Sequence, residues 1–143
     1  MKLINTRYNN TYYLQQHVLL IVWVCLYPEN PTDFPKVRLA NDDEGKHFGL
    51  YVDTKLISVI SLFISKNEAQ FRKFATLTEY QGKGYGTMLL KEIMHIAEKE
   101  GLSSIWCNAR RSKTNYYAKF NMNLTKTEFI KGGLPYVIME RKF

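Results

Sequence analysis

Gly82, Gly84 and Gly86 stand at alternate positions in the stretch Gln81-Gly82-Lys83-Gly84-Tyr85-Gly86. A leucine-rich helical pattern follows them. A helix that begins after a strand presents free N–H groups and the positive end of its dipole. Glycines let an anion come close to that backbone. The chemistry this combination points to is phosphate binding by main-chain amides. On these six residues alone, a tight turn without a ligand stays open. Spacing separates the stretch from two other phosphate loops. The dinucleotide fingerprint GxGxxG needs a glycine where Thr87 stands, and no GxxxxGK run followed by Ser or Thr exists. At least three strands also precede the glycines, whereas a dinucleotide-binding fold usually opens with them.

Such a turn has to be held between a strand and a helix. Gln70–Leu77 reads as the strand. Leu89, Leu90, Ile93, Ile96 and Ala97 recur at helical spacing, with Lys91, Glu92, Glu98 and Lys99 on the other side. Gly101 suits the stop of that helix. Ser103–Ala109 is short, apolar and strand-like, so strand, helix and strand form a crossover whose two strands are parallel neighbours. Upstream, Met1–Asn5 reads as a short strand, Asn10–Leu26 as a buried helix ended before Pro28, and Tyr27–Gly45 as a loop. His47–Asp53 and Leu56–Ile64 form a hairpin turned at Asp53-Thr54-Lys55. The second of these strands is apolar on both sides, as expected when both faces of a sheet are covered. A short helix is expected over Lys113–Phe120. Strands near Leu124–Ile130 and Pro135–Arg141, joined by Lys131-Gly132-Gly133, close the chain. The class is α/β, with a mixed sheet and helices on both faces.

The chain of 143 residues suits one domain, and 45% hydrophobic content excludes a disordered one. Its 20 Lys and Arg against 13 Asp and Glu give a net charge of +7. That balance suits anionic partners such as nucleotides or cofactor phosphates, or simply aids solubility. The basic residues are scattered and carry no nucleic-acid-binding signature, so nucleic acid is not an expected partner. Cys25 and Cys107 lie in apolar surroundings outside any metal-ligand spacing, so neither a metal nor a disulfide is expected. The apolar run Val18–Leu26 is far short of the roughly 20 residues that span a bilayer. It also lacks a cleavage site, so a cytoplasmic protein with no membrane partner is expected.

The glycine stretch fits the pattern Gln/Arg-x-x-Gly-x-Gly/Ala. It resembles the acyl-CoA pyrophosphate loop of the GCN5-related N-acetyltransferase (GNAT) superfamily. The strand "FRKFATL" before it and the long helix after it repeat that superfamily's layout. So do the strand "SIWCNA" and the helix bearing "NYYAKF", which is similar to the family's "FYEKLGF" element. "NAR" and the closing "GGLPYVIMERK" resemble the small bacterial ElaA-like branch. The resemblance is specific from Phe71 to the C-terminus, and before that it rests on element order.

The resemblance implies an acetyl-CoA-dependent N-acyltransferase acting on a small amine or a peptide or protein amine, or else a CoA-binding module of the same fold without catalysis. It implies a mostly antiparallel sheet with a parallel, splayed strand pair at its centre. Pantetheine would lie in the splay against Phe74, Ala75 and Thr76. The amides of Gly82 to Thr87 would bind pyrophosphate, with Gln81, Lys83, Gly84, Tyr85 and Gly86 in that loop. Asn108 and Lys119 join the cofactor-contacting set, and Lys113 or Lys119 would meet the nucleotide end. Tyr117 takes the place of the family's tyrosine, whose hydroxyl would protonate the leaving thiolate. Only one of two successive helical residues is expected to face the cleft, so Tyr116 is assigned to core packing.

Several positions depart from the family's pattern. Asn121-Met122 replace its closing glycine and aromatic residue, though asparagine tolerates a left-handed turn. Lys113 occupies a position that is often small or polar. Gln70 stands where histone-type members carry a glutamate base. Glu79 is expected in an exposed loop, and His47 and His95 in structural or surface roles, so no residue is assigned as base. The acceptor site would be built from Val18–Leu26, the loop to Gly45 and the Lys131–Tyr136 turn, where Asp42, Asp43 and Glu44 could attract a cationic amine. Edge strands leave a homodimer open.

Overall fold

The computed structural model describes residues 2–5 and 44–143. Seven strands form one sheet. They are β1 (Lys2–Asn5), β2 (Lys46–Val52), β3 (Lys55–Ser65), β4 (Glu68–Thr76), β5 (Ser104–Arg110), β6 (Asn123–Lys131) and β7 (Leu134–Lys142). Their order is β1-β2-β3-β4-β5-β7-β6. All neighbours are antiparallel except β4 and β5, which run parallel as the crossover requires. The helix expected over Asn10–Leu26 and the loop that follows it to residue 43 lie outside the described residues.

The crossover helix α1 (Tyr85–Lys99) buries Leu89, Leu90, Ile93, Met94 and Ala97. These recur every three to four residues, so one stripe packs on β2 to β5 while the polar residues face out. Ile96, expected in that stripe, is only partly buried at its edge. The helix ends as Gly101 predicts. The Gly101 amide donates to the Glu98 carbonyl at 3.0 Å and that of Leu102 to Ala97 at 3.2 Å. Both faces of β3 are covered: Ile60 and Leu62 pack under α1, and Val59, Ser61 and Phe63 on the opposite face are buried too.

Element boundaries shift where local hydrogen bonding decides them. Lys55 already belongs to β3, so the first hairpin turns on Asp53-Thr54. Leu77 leaves β4, although its amide still bonds the Ile57 carbonyl at 2.9 Å. The helix expected over Lys113–Phe120 divides into a 3₁₀ turn (Arg111–Lys113) and α2 (Thr114–Ala118). It ends because the amides of Lys119, Phe120 and Asn121 bond carbonyls three residues back.

Asn121 then adopts φ 59°, which turns the chain and lets Met122 enter the core. An asparagine thus holds the left-handed position that the resemblance gives to glycine. We expect Asn121→Ala to lower unfolding free energy in urea by about 1 kcal/mol and Asn121→Gly to leave it unchanged or raise it.

Candidate active site

The parallel β4–β5 ladder holds only three residue pairs, Glu68–Ser104, Ala69–Ile105 and Gln70–Trp106. Beyond them the strands part. β5 stays paired with β7 along its whole length, and β4 stays paired with β3. A bulge helps β4 to turn away. Between the pairs Val59–Ala75 and Ser61–Arg72, β4 spends one residue more than β3, and Lys73 lies at φ 54°. The strands therefore open toward Thr76 and Arg110. A cleft of about 590 Å³ fills the opening, within the range of small-molecule sites.

The glycine turn closes one end of this cleft. Gly84 caps α1 at φ 87°, a conformation costly for residues with a side chain. No side chain caps the helix, and Gly84, Tyr85, Gly86 and Thr87 at its start line the cleft. A side chain at Gly86 would press on Thr76 Oγ1 at 3.2 Å and Phe74 Cζ at 3.3 Å. The turn is pinned to β4 by Gln81, whose Nε2 donates to the Thr76 carbonyl at 2.8 Å. Ser58 Oγ donates to the Ala75 carbonyl at 3.2 Å and shares a 2.8 Å hydrogen bond with Thr76 Oγ1.

The structure brings Phe74, Ala75, Thr76, Gln81, Gly82, Gly84, Tyr85, Gly86, Thr87, Asn108 and Tyr117 to the cleft, together with Lys113. Lys83 and Lys119 are not in its lining. Lys83 is exposed, with its ammonium 5.7 Å from the Tyr80 ring centre. Lys119 lines a separate hollow with Lys91, His95 and Arg141. Tyr116 packs against the core as expected, its ring 5.2 Å from that of the buried Phe120. The expectation that only one of the two tyrosines faces the cleft is corrected. Tyr116 also lines the cleft beside Tyr117, and its hydroxyl meets Thr87 Oγ1 at 3.2 Å. A helix of five residues perched over a wide opening presents two successive side chains to it. The two rings pack edge to face at 5.3 Å, and Tyr117 lies 5.8 Å from the Phe71 ring.

Arg72, Lys73 and Arg110 also line the cleft and were not singled out from sequence, and so does Tyr136, the last residue of the turn expected at the acceptor site. Alternation along β5 could have placed Asn108 and Arg110 on one face. Tyr136 needed the β5–β7 register, in which it pairs with Arg110. No Asp or Glu lines the cleft among the described residues. Gln70 is buried and accepts from Arg72 Nε at 2.8 Å. His47 is buried against Ser61 Oγ at 2.7 Å, and Glu79 is exposed near Lys55 at 3.6 Å.

Burial holds the Tyr117 hydroxyl well above the ordinary tyrosine range; Cys107 and Tyr116 add to this, and Arg110 pulls it back. Burial also raises Tyr116, while its Thr87 hydrogen bond lowers it. The free thiol of Cys107, in the cleft lining, is pushed by burial from near 9 up to about 12. Among the described residues no His, Cys, Asp or Glu cluster could hold a metal ion, and no helix is long and apolar enough to cross a membrane.

The chain belongs to the acetyltransferase (GNAT) family, whose model matches residues 16–122. It is similar to the uncharacterized N-acetyltransferase YitI of Bacillus subtilis (strain 168), at 34% identity over 101 residues, covering 66% of this chain and 68% of YitI. Among solved structures it is similar to Escherichia coli ElaA, with a TM-score of 0.74 at 14% identity over 99% of this chain and 100% of that one. It also matches the PaiA N-acetyltransferase of Thermoplasma acidophilum, solved in complex with coenzyme A, with a TM-score of 0.71 at 19% identity over 100% of both chains.

The Cys107 thiol gives a direct test of this packing. A folded protein that holds its proton past the ordinary thiol range loses stability as pH rises from about 9 toward 12. In a Cys25→Ser variant, a thiolate-directed disulfide reagent at pH 8 should label Cys107 only after guanidinium unfolding. Rapid labelling of the folded variant would contradict the burial.

Proposed function

We propose that this protein transfers an acetyl group from acetyl-CoA to a primary amine of a small molecule, peptide or protein. The observation that carries the reading is the opening of β4 from β5 beneath an uncapped helix end, with a tyrosine hydroxyl in the wall. The cleft's features suit coenzyme A. Gly82 and Gly84 have open space where a side chain would stand, room that a diphosphate could use. The amides from Gly82 to Thr87 would receive it. The strand segment Phe74–Thr76 would run alongside the pantetheine arm. Lys113 lines the cleft and Lys119 does not, so Lys113 is the better-placed cation for the nucleotide end.

Acetyl-CoA would supply the acetyl group as a thioester. The neutral acceptor amine attacks its carbonyl carbon, the C–N bond forms and the C–S bond breaks. The amine gives up one proton and the departing sulfur takes one. Tyr117 holds the proton available to that sulfur. Burial keeps its hydroxyl protonated across the working range, so it serves as a positioned donor rather than a strong acid. Gln70 cannot accept a proton, which leaves water or an already neutral amine to meet that need. A homodimer would form at β6, one edge of the sheet, where Leu124 and Ile130 are exposed.

Calorimetric titration with acetyl-CoA tests the binding half. We expect binding by the native protein and a loss of about 10-fold or more in Gly84→Val, which cannot adopt the cap conformation easily. No binding by folded protein would remove the transferase reading. Tyr117→Phe tests the chemical half. It should lower kcat by roughly 10²-fold or more and leave acetyl-CoA affinity unchanged; full activity would mean a CoA-binding cleft that does not use this hydroxyl. The pH profile of kcat/KM should rise as the amine neutralises, without a falling limb from Tyr117 below about pH 10.

A further inference from the structure

The two mouths of the cleft differ. Ile105, Cys107 and Ala109 of β5 join the core under α1. Alternation sends Asn108 and Arg110 to the opposite face. Arg110 pairs in register with Tyr136, whose ring stacks on Phe129 at 5.4 Å with the planes only 8° apart. The glycine turn and the first amides of α1 lie on the core side, so they take one mouth for the cofactor. The mouth left for an acceptor is framed by Asn108, Arg110 and Tyr136.

Arg110 is exposed, and among the described residues no carboxylate lies within ion-pair distance of it. Its neighbour Arg111 differs, meeting Glu128 at 2.7 Å. Arg72, the other arginine in the lining, is occupied by Gln70 and by the Phe63 ring 4.5 Å away. The lining thus offers one uncommitted guanidinium beside a rigid aromatic pair and no described acid to draw in a polycation. A guanidinium presents parallel N–H groups that match a carboxylate or phosphate.

On the transferase reading above, we propose that Arg110 receives an anionic group of the acceptor, so that the amine acetylated here carries a carboxylate or phosphate a few bonds away. Amino acids are the simplest such amines. Arg110 then sets specificity and orients the amine toward the thioester, and it takes no part in proton transfer.

The test is a kinetic panel at saturating acetyl-CoA, with native protein and Arg110→Gln. The panel holds the twenty amino acids, their amides, O-phosphoethanolamine, ethanolamine and spermidine. We expect at least one anionic amine to exceed its neutral counterpart by about 10-fold or more in kcat/KM. In Arg110→Gln that advantage should vanish, chiefly through a raised KM for the anionic amine, with the neutral amine's KM and acetyl-CoA affinity unchanged. Preference among amino acids would identify a carboxylate, and preference for O-phosphoethanolamine a phosphate. The proposal is overturned if no anionic amine outperforms its neutral partner, if spermidine is the best acceptor, or if Arg110→Gln weakens acetyl-CoA binding instead. Calorimetry with acetyl-CoA on the same samples separates these outcomes from failure of the transferase reading, in which the native protein would not bind it.

Discussion

The place where the β4–β5 ladder stops determines the rest of the site. Paired strands lie about 4.8 Å apart, too close to admit a ligand between them. Three pairs hold these two strands together at one end, and nothing pairs them at the other. Leaving strand N–H and C=O groups without partners inside a protein is costly. The gap is tolerable because each strand satisfies its other edge, β4 against β3 and β5 against β7. What remains is a slot bordered on both sides by strand backbone, open at the end where Thr76 and Arg110 lie.

Three short contacts turn the slot into a defined site. Gln81 ties the glycine turn to the end of β4, Ser58 ties the same strand end to β3, and the Thr87–Tyr116 contact joins the start of α1 to α2. All three lie at the open end of the strand pair, where the ladder itself gives no support. Charge follows a similar division. Acidic side chains are absent from the described lining, so its cations act on whatever enters rather than on one another's partners. The low polarity that raises Tyr117 and Cys107 strengthens those interactions further.

Much of this layout was legible in the sequence because it depends on local signals. The spacing of Leu89, Leu90, Ile93 and Ala97 specifies which face of α1 is buried, and Gly101 marks its end. The glycine stretch located the turn, and strand, helix and strand in succession implied a parallel pair. The residues that escaped depend on distant elements. Arg110 reaches the site by meeting Tyr136, the end of the expected acceptor turn, through a β5–β7 pairing of segments far apart in the chain. That Tyr116 reaches the cleft as well as the core escaped notice because helical geometry limits which way a side chain points but not how wide the facing space is. Lys83 and Lys119 follow the same logic: neighbours of a motif in sequence need not share its surface.

The bulge at Lys73 has a consequence of its own. In a regular strand, odd and even residues keep to their sides from end to end. Here β4 is read in two frames, one through the residues paired up to Arg72 and another from Phe74 to Thr76. A one-residue insertion or deletion near Lys73 acts like a frameshift confined to the last part of the strand. It would exchange the residues that face the slot with those that face away, and leave the upstream core pairing untouched. Lineages built on this scaffold can therefore change what lines the slot by moving a single residue's worth of backbone, without altering any other element of the sheet.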